Sequence, residues 1–208
     1  MRRWTWRVLV VMALGALIGP AAAAARPVPG ATCPTGSAQV VLDPGHGGSD
    51  TGATTTINGQ TLYEKDLTLA AAEKVAGILN GGYSVALTRS SDVSLGNSER
   101  GAIANACGAK VFVEIHFNSS SNPAIDYTQT FWGKKRKDLA FATTVDQALA
   151  GALGIPNNGV GQFANGGLLT ATMPSTLAET VFLSNPTEAT QLADPASGRL
   201  DQIAQALA

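Results

Sequence analysis

A chain of 208 residues, 45% hydrophobic and 14% charged, suffices for one compact domain and is too short for two of ordinary size. Its formal net charge of −1 leaves no general basic face, which argues against nucleic acid as the main partner. One basic run, Lys134 to Lys137, reads as a solvated turn beside a strand, with polyanion contact as the alternative.

Residues 1–25 join a basic start, "MRRWTWR", to an apolar stretch, "VLVVMALGALIG", and small residues, "PAAAAA". This is the pattern of a secretory signal, so the mature chain is expected to run from about Arg26 to Ala208 as a secreted or periplasmic protein. The apolar core is shorter than the ~20 residues of a membrane span, so no membrane association is expected of the mature form. Export makes the two cysteines, Cys33 and Cys107, an expected disulfide. Each lies shortly before an apolar run, which fits two cysteines at one edge of a parallel sheet.

From there, short apolar runs alternate with longer amphipathic stretches, the pattern of an α/β fold: a single domain with a mostly parallel, twisted sheet of about six strands flanked by helices. The first strand is expected over Gln39–Asp43. A helix follows over Leu62–Leu79, with Leu67, Ala70, Ala71, Val75 and Ile78 on one face and Asn80-Gly81-Gly82 as its stop. "YSVALTR" reads as a strand, "NSERGAIANACG" as a helix, and Lys110–His116 as the strongest strand, rich in β-branched and aromatic residues. Next come a strand "DYTQTFW", a helix over Asp138–Leu153, and a glycine- and asparagine-rich loop over Asn157–Gly167 with a short strand after it. "STLAETVFL" is the last clear strand, "SNPTEATQLA" opens a helix, and the tail from Asp194 forms another.

The chemistry gathers around two histidines, His46 and His116, the only two in the chain. His46 follows the first strand within "DPGHGGSD", and His116 ends "VFVEIH". In an open parallel sheet ligands bind beyond the carboxyl ends of the strands, so both histidines belong to that edge. Two histidines, one carboxylate and an open position make a catalytic zinc site. Glu64 and Asp66, at the start of the following helix, are both candidates for the carboxylate. Thr61-x-x-Glu64 also fits a capping box, in which Glu64 would only reach back to the backbone. Glu179, a carboxylate inside an apolar strand, suits a general base beside zinc, or else a structural acid paired with Arg89 or Arg100.

With these residues in view, the chain resembles the zinc-dependent N-acetylmuramoyl-L-alanine amidases of bacterial cell walls. Four blocks carry the resemblance in order: "VVLDPGHGGSDTGA", "YEKDLTLAAAEKV", "VALTRSSDVSLGNSERGAIANACGAKVFVEIHFNSS" and "MPSTLAETVFLSNPTEATQLADP". The resemblance implies zinc held by His46, Glu64 and His116, with Glu179 as general base, and so selects Glu64 over Asp66. It implies hydrolysis of the amide between the lactyl group of N-acetylmuramic acid and the L-alanine of the peptide stem. The expected partner is peptidoglycan or a muropeptide at the cell wall, met by a monomer. A zinc peptidase cutting within the stem, or a wall-binding protein without turnover, are the alternatives.

Three positions depart from the family pattern. Glu114 stands where a small residue is usual and shares a strand face with His116, which makes it, with Asp43, a candidate to support the metal ligands from behind. Lys110 replaces a more usual acidic residue at the far end of the strand. Val181 replaces an expected glycine and would narrow the groove near Glu179. The interval Phe117–Ala178 looks filled by one strand, one helix and loops, leaving no segment to plug the site.

Overall fold

The structure is a computed structural model that describes Cys33 and residues 37–208; the expected signal over residues 1–25 lies outside the described residues. In chain order the elements are β1 (Val40–Pro44), β2 (Thr54–Ile57), β3 (Gln60–Tyr63), α1 (Glu64–Leu79), β4 (Val85–Leu87), α2 (Asn97–Ala106) and β5 (Val111–Asn118). There follow β6 (Thr128–Trp132), α3 (Lys135–Leu153), β7 (Asn157–Gln162), α4 (Gly166–Thr170), β8 (Ser175–Phe182), α5 (Pro186–Ala193), a 3₁₀ turn (Pro195–Ser197) and α6 (Arg199–Leu207). Among the described residues no helix is long and apolar enough to cross a membrane.

Six strands form one sheet in the order β4-β1-β5-β8-β6-β7. The first four run parallel; β6 pairs antiparallel with β8, and β7 follows β6. Alternation along the strands sends Leu42, Val113 and Ile115 to one face, where they meet Ala71, Ala72 and Val75 of α1 and Ala204 of α6. Val41, Ala86 and Phe112 point the other way and pack with Ile103 and Ala104 of α2 and Ala171 and Met173 beside α4. The same alternation puts Glu114 and His116 on this second face. Cys33 and Cys107 form the expected disulfide, with Cα atoms 5.5 Å apart.

Three expectations need correction. The helix expected from Leu62 begins at Glu64, because residues 54–63 form a hairpin turning at Asn58 and Gly59, whose φ angles are 51° and 79°. The interval 117–178 holds two strands and two helices: the expected loop over 157–167 contains an edge strand, β7, and helix α4 stands where a short strand was expected after it. Finally, the basic run is no free turn. Lys134 donates to Leu168 O and pairs with Asp138, and α3 begins at the next residue.

Candidate active site

Strand β1 ends at Pro44 and delivers His46 into a loop with φ of +61°, a conformation that costs a non-glycine residue about 1–3 kcal/mol. Two buried arginines hold the loop there by its carbonyls. Arg89 donates from Nε to Pro44 O at 3.0 Å and from Nη2 to Gly45 O at 2.9 Å. Arg100, on α2, donates to Pro44 O at 2.8 Å and His46 O at 2.7 Å. Asp43 anchors Arg100 at 2.9 Å and accepts from Thr88 Oγ1. Asp43 therefore reaches the site through Arg100 and the loop, touching neither histidine.

Glu64 is the first residue of α1, with Tyr63 as N-cap and no side-chain cap. Thr61 lies in β3, so the capping box does not form. The Glu64 carboxylate turns inward: Oε2 accepts from Ala53 N at 2.7 Å, and Oε1 accepts from Phe117 N at 3.1 Å. The same Oε1 stands 3.0 Å from His46 Nε2 and 3.0 Å from His116 Nδ1. Burial opposes ionisation of Glu64, but the hydrogen bonds from His116 and His46 outweigh it and hold the pKa at about 2. Burial would likewise lower His116, yet the bond to Glu64 and the charges of Glu179, Glu64 and Glu114 raise it to about 9.

The hairpin and the glycines make this convergence possible. Ala53 bonds the Glu64 carboxylate and also accepts from the Glu64 backbone N–H. At Gly45 a Cβ would collide with the His116 ring, and at Gly52 one would lie 2.5 Å from Glu64 Oε2 and 2.6 Å from His46 Cδ2. One ligand atom from each of His46, Glu64 and His116 lies within 4.8 Å of the others, with the rings nearly perpendicular at 78°. Two imidazole nitrogens and a carboxylate oxygen at this spacing fit zinc. Asp50, which the sequence reading passed over, accepts from His46 Nδ1 at 2.9 Å and leaves Nε2 facing Glu64. Asp66 takes no part in the cluster.

Glu179 is the register partner of His116 on the neighbouring strand β8. Its Oε2 is buried without a partner, and neither Arg89 nor Arg100 reaches it. Burial pushes its pKa up to about 7 against the pull of His116. Behind His116, Glu114 Oε2 accepts from Asn165 Nδ2 at 2.6 Å, while Oε1 is buried without a partner. Burial and the nearby Asp43 carboxylate raise Glu114 to about 8. Val181 is wholly buried in the core beside Phe117 and Leu183 and lies outside the cavity wall. The cavity, about 500 Å³, is lined by His46, Glu64, His116 and Glu179, with Asn97, Arg100 and Asn165 on a polar wall and Phe163 and Leu177 on an apolar one.

The N-acetylmuramoyl-L-alanine amidase family matches residues 40–208. YqiI of Bacillus subtilis is 35% identical over 91% of this chain and 88% of its own length. The amidase LytC of the same organism is 31% identical over 74% of this chain, which spans only 31% of it. The catalytic domain of CwlV, an N-acetylmuramoyl-L-alanine amidase from Bacillus (Paenibacillus) polymyxa, superposes with a TM-score of 0.73 at 36% identity, covering 81% of this chain and 92% of that one. An amidase from Clostridium difficile 630 gives 0.74 at 29% identity, covering 83% and 94%.

Proposed function

This chain belongs to the N-acetylmuramoyl-L-alanine amidase family, and from that premise we propose that it is a zinc-dependent peptidoglycan hydrolase acting outside the cytoplasm. The bond cut is the amide between the lactyl group of N-acetylmuramic acid and L-alanine. One observation carries the reading: a three-ligand cluster within 4.8 Å stands beside a carboxylate with a free buried oxygen, in one open cavity.

His46 Nε2, Glu64 Oε1 and His116 Nδ1 would hold the metal. Zinc, when bound, supplies Lewis acidity that lowers the pKa of a water to about 7 and polarises a carbonyl. Asp50 fixes the His46 tautomer, and the arginine-held loop fixes its ring. Glu179 takes the proton of the attacking water on Oε2 and returns it to the departing alanine nitrogen. In the metal-free site burial raises the pKa of Glu179 to about 7, which favours its accepting a proton. Every proposed ligand comes from one chain, so a monomer suffices.

The test is mass analysis of soluble muropeptides incubated with the protein, with and without a chelator. Free stem peptides with an L-alanine amino terminus should appear, vanish on chelation and return with zinc. Fragments cut within the stem, or intact muropeptides from zinc-loaded protein, would refute the proposal.

A further inference from the structure

Lys65 follows Glu64 in the first turn of α1, where the positive end of the helix dipole disfavours a cation. Its surroundings offset that cost. The Lys65 backbone N–H donates to Thr51 O at 3.2 Å, and its carbonyl accepts from Arg89 Nη2 at 2.7 Å. Its Nζ donates to Gly48 O at 2.9 Å and to Asp92 Oδ2 at 2.7 Å. Asp92, in the loop between β4 and α2, accepts from Gly48 N on its other oxygen at 2.6 Å. One residue of the His46 loop is thus gripped at both its N–H and its C=O, by two side chains that also pair with each other.

Gly48 is a sensitive point of that loop. Gly47 and Asp50 exchange backbone hydrogen bonds of 2.9 and 3.2 Å, so residues 47–50 form a minimal hairpin with Gly48 and Ser49 at its tip. His46 precedes the hairpin; Asp50 closes it and accepts from His46 Nδ1. The φ angles of Gly47 and Gly48, 129° and 60°, belong to residues with little rigidity of their own. Support comes from outside. Ser94 Oγ donates to Gly47 O at 3.0 Å and accepts from Ser49 N at 3.2 Å, and a Cβ on Gly48 would lie 2.2 Å from that oxygen. The Asp50 side chain is 65% exposed, so its hold on His46 is only as firm as the hairpin that carries it. Neither Lys65 nor Asp92 lines the cavity.

We propose that Lys65 and Asp92 form a clasp that positions His46 for metal binding by fixing the tip of this hairpin. The first turn of α1 then sets two ligands at once, Glu64 directly and His46 through Lys65. The buried arginines hold the near side of the loop by Pro44 O, Gly45 O and His46 O, and the clasp holds the far side. With the clasp open, Asp50 shifts with the hairpin, the Nδ1 bond loosens, and the His46 ring is free to turn its Nε2 away from Glu64. The inference rests on the metal reading and deepens it, adding two positioning residues whose side chains touch neither ligand nor cavity.

The experiment measures zinc affinity by competition with a chromophoric chelator, the visible absorption of the cobalt(II)-substituted protein, and the melting temperature of the metal-free protein. Lys65→Met should bind zinc about tenfold more weakly and shift the cobalt bands, which follow ligand geometry. Its melting temperature should stay near that of the wild type, because an exposed ion pair contributes little to stability. Lys65→Arg keeps a cation for Asp92 and donors for Gly48 O, and should restore most of the affinity. Adding Asp92→Ala to Lys65→Met should weaken zinc binding little further, since either change opens the same clasp. Three results would overturn the clasp and leave the metal reading standing: unchanged affinity and bands in Lys65→Met, losses that simply add in the double variant, or a weakening matched by a fall in melting temperature that Lys65→Arg does not recover. A wild type that takes up neither metal overturns the metal reading itself, and the clasp with it.

Discussion

His116 on β5 and Glu179 on β8 are register partners on adjacent parallel strands, so one pair of backbones fixes both a metal-ligand candidate and the proposed base. Their separation is set by strand pairing, without any flexible loop between them. Glu179→Gln keeps the shape and removes the proton acceptor. It is expected to cut kcat by about 10²–10⁴-fold while zinc affinity stays within a few-fold of wild type. Steady-state kinetics beside a zinc titration checks this, and undiminished turnover would remove Glu179 from the mechanism.

Metal uptake must compete with protons. Without metal, His116 has a pKa near 9 and His46 is also raised, because the Glu64 hydrogen bonds outweigh burial. His116 therefore carries a proton at pH 7 that zinc has to displace, and the raised His46 adds to the competition. Apparent zinc affinity should rise as pH climbs toward about 9. Calorimetry at pH 7 in buffers of different ionisation enthalpy should show proton release; an affinity flat from pH 6 to 9 contradicts the assignment.

Arg100 ties Asp43, Pro44 O and His46 O together inside the fold. Arg100→Ala leaves the buried Asp43 carboxylate without its cation and should destabilise the protein by about 3–5 kcal/mol. Arg100→Lys keeps a charge but cannot span three acceptors from two nitrogens. It should fold, lose less stability, and bind zinc about ten- to a hundredfold more weakly as the His46 loop loosens. Urea unfolding and a zinc titration on each variant separate the two effects.

Glu114 is held neutral near pH 7, its pKa of about 8 lying above the unfolded value. The folded state then binds a proton that the unfolded state has released. Stability from this group is complete below the unfolded pKa and is lost as pH rises toward about 8. Glu114→Gln keeps an acceptor for Asn165 and does not ionise, so its melting temperature should decline less than that of the wild type between pH 5 and 9. Parallel declines in the two proteins would mean that Glu114 is ionised in the fold.

Much of this was legible in the sequence, for reasons specific to each element. The β-branched runs around Val41 and Val113 mark parallel strands, and parallel strands put the residues after them at one edge. That argument alone brings His46 and His116 together. The choice between Glu64 and Asp66 was not legible from spacing, because it depends on the hairpin that aims the first turn of α1. The hairpin had a signal: Asn58-Gly59, whose two positive φ angles suit a tight turn, flanked by threonines. It was masked by Leu62, whose apolar side chain extends the helical stripe but packs in the core from a strand. Strand β7 was illegible because glycines in "NNGVGQ" lack β propensity, and the Phe131 ring supplies the packing that Gly161 lacks. Asp50 had no signal either, since four residues of glycine-rich loop have no fixed period.

The most direct test of the whole account is hydrolysis of a defined disaccharide peptide by the zinc-loaded protein in ¹⁸O-labelled water. The account predicts one ¹⁸O in the lactyl carboxylate of the sugar product and an unlabelled stem peptide with a free L-alanine amine. Label appearing in the stem peptide, or a sugar product with none, would contradict it.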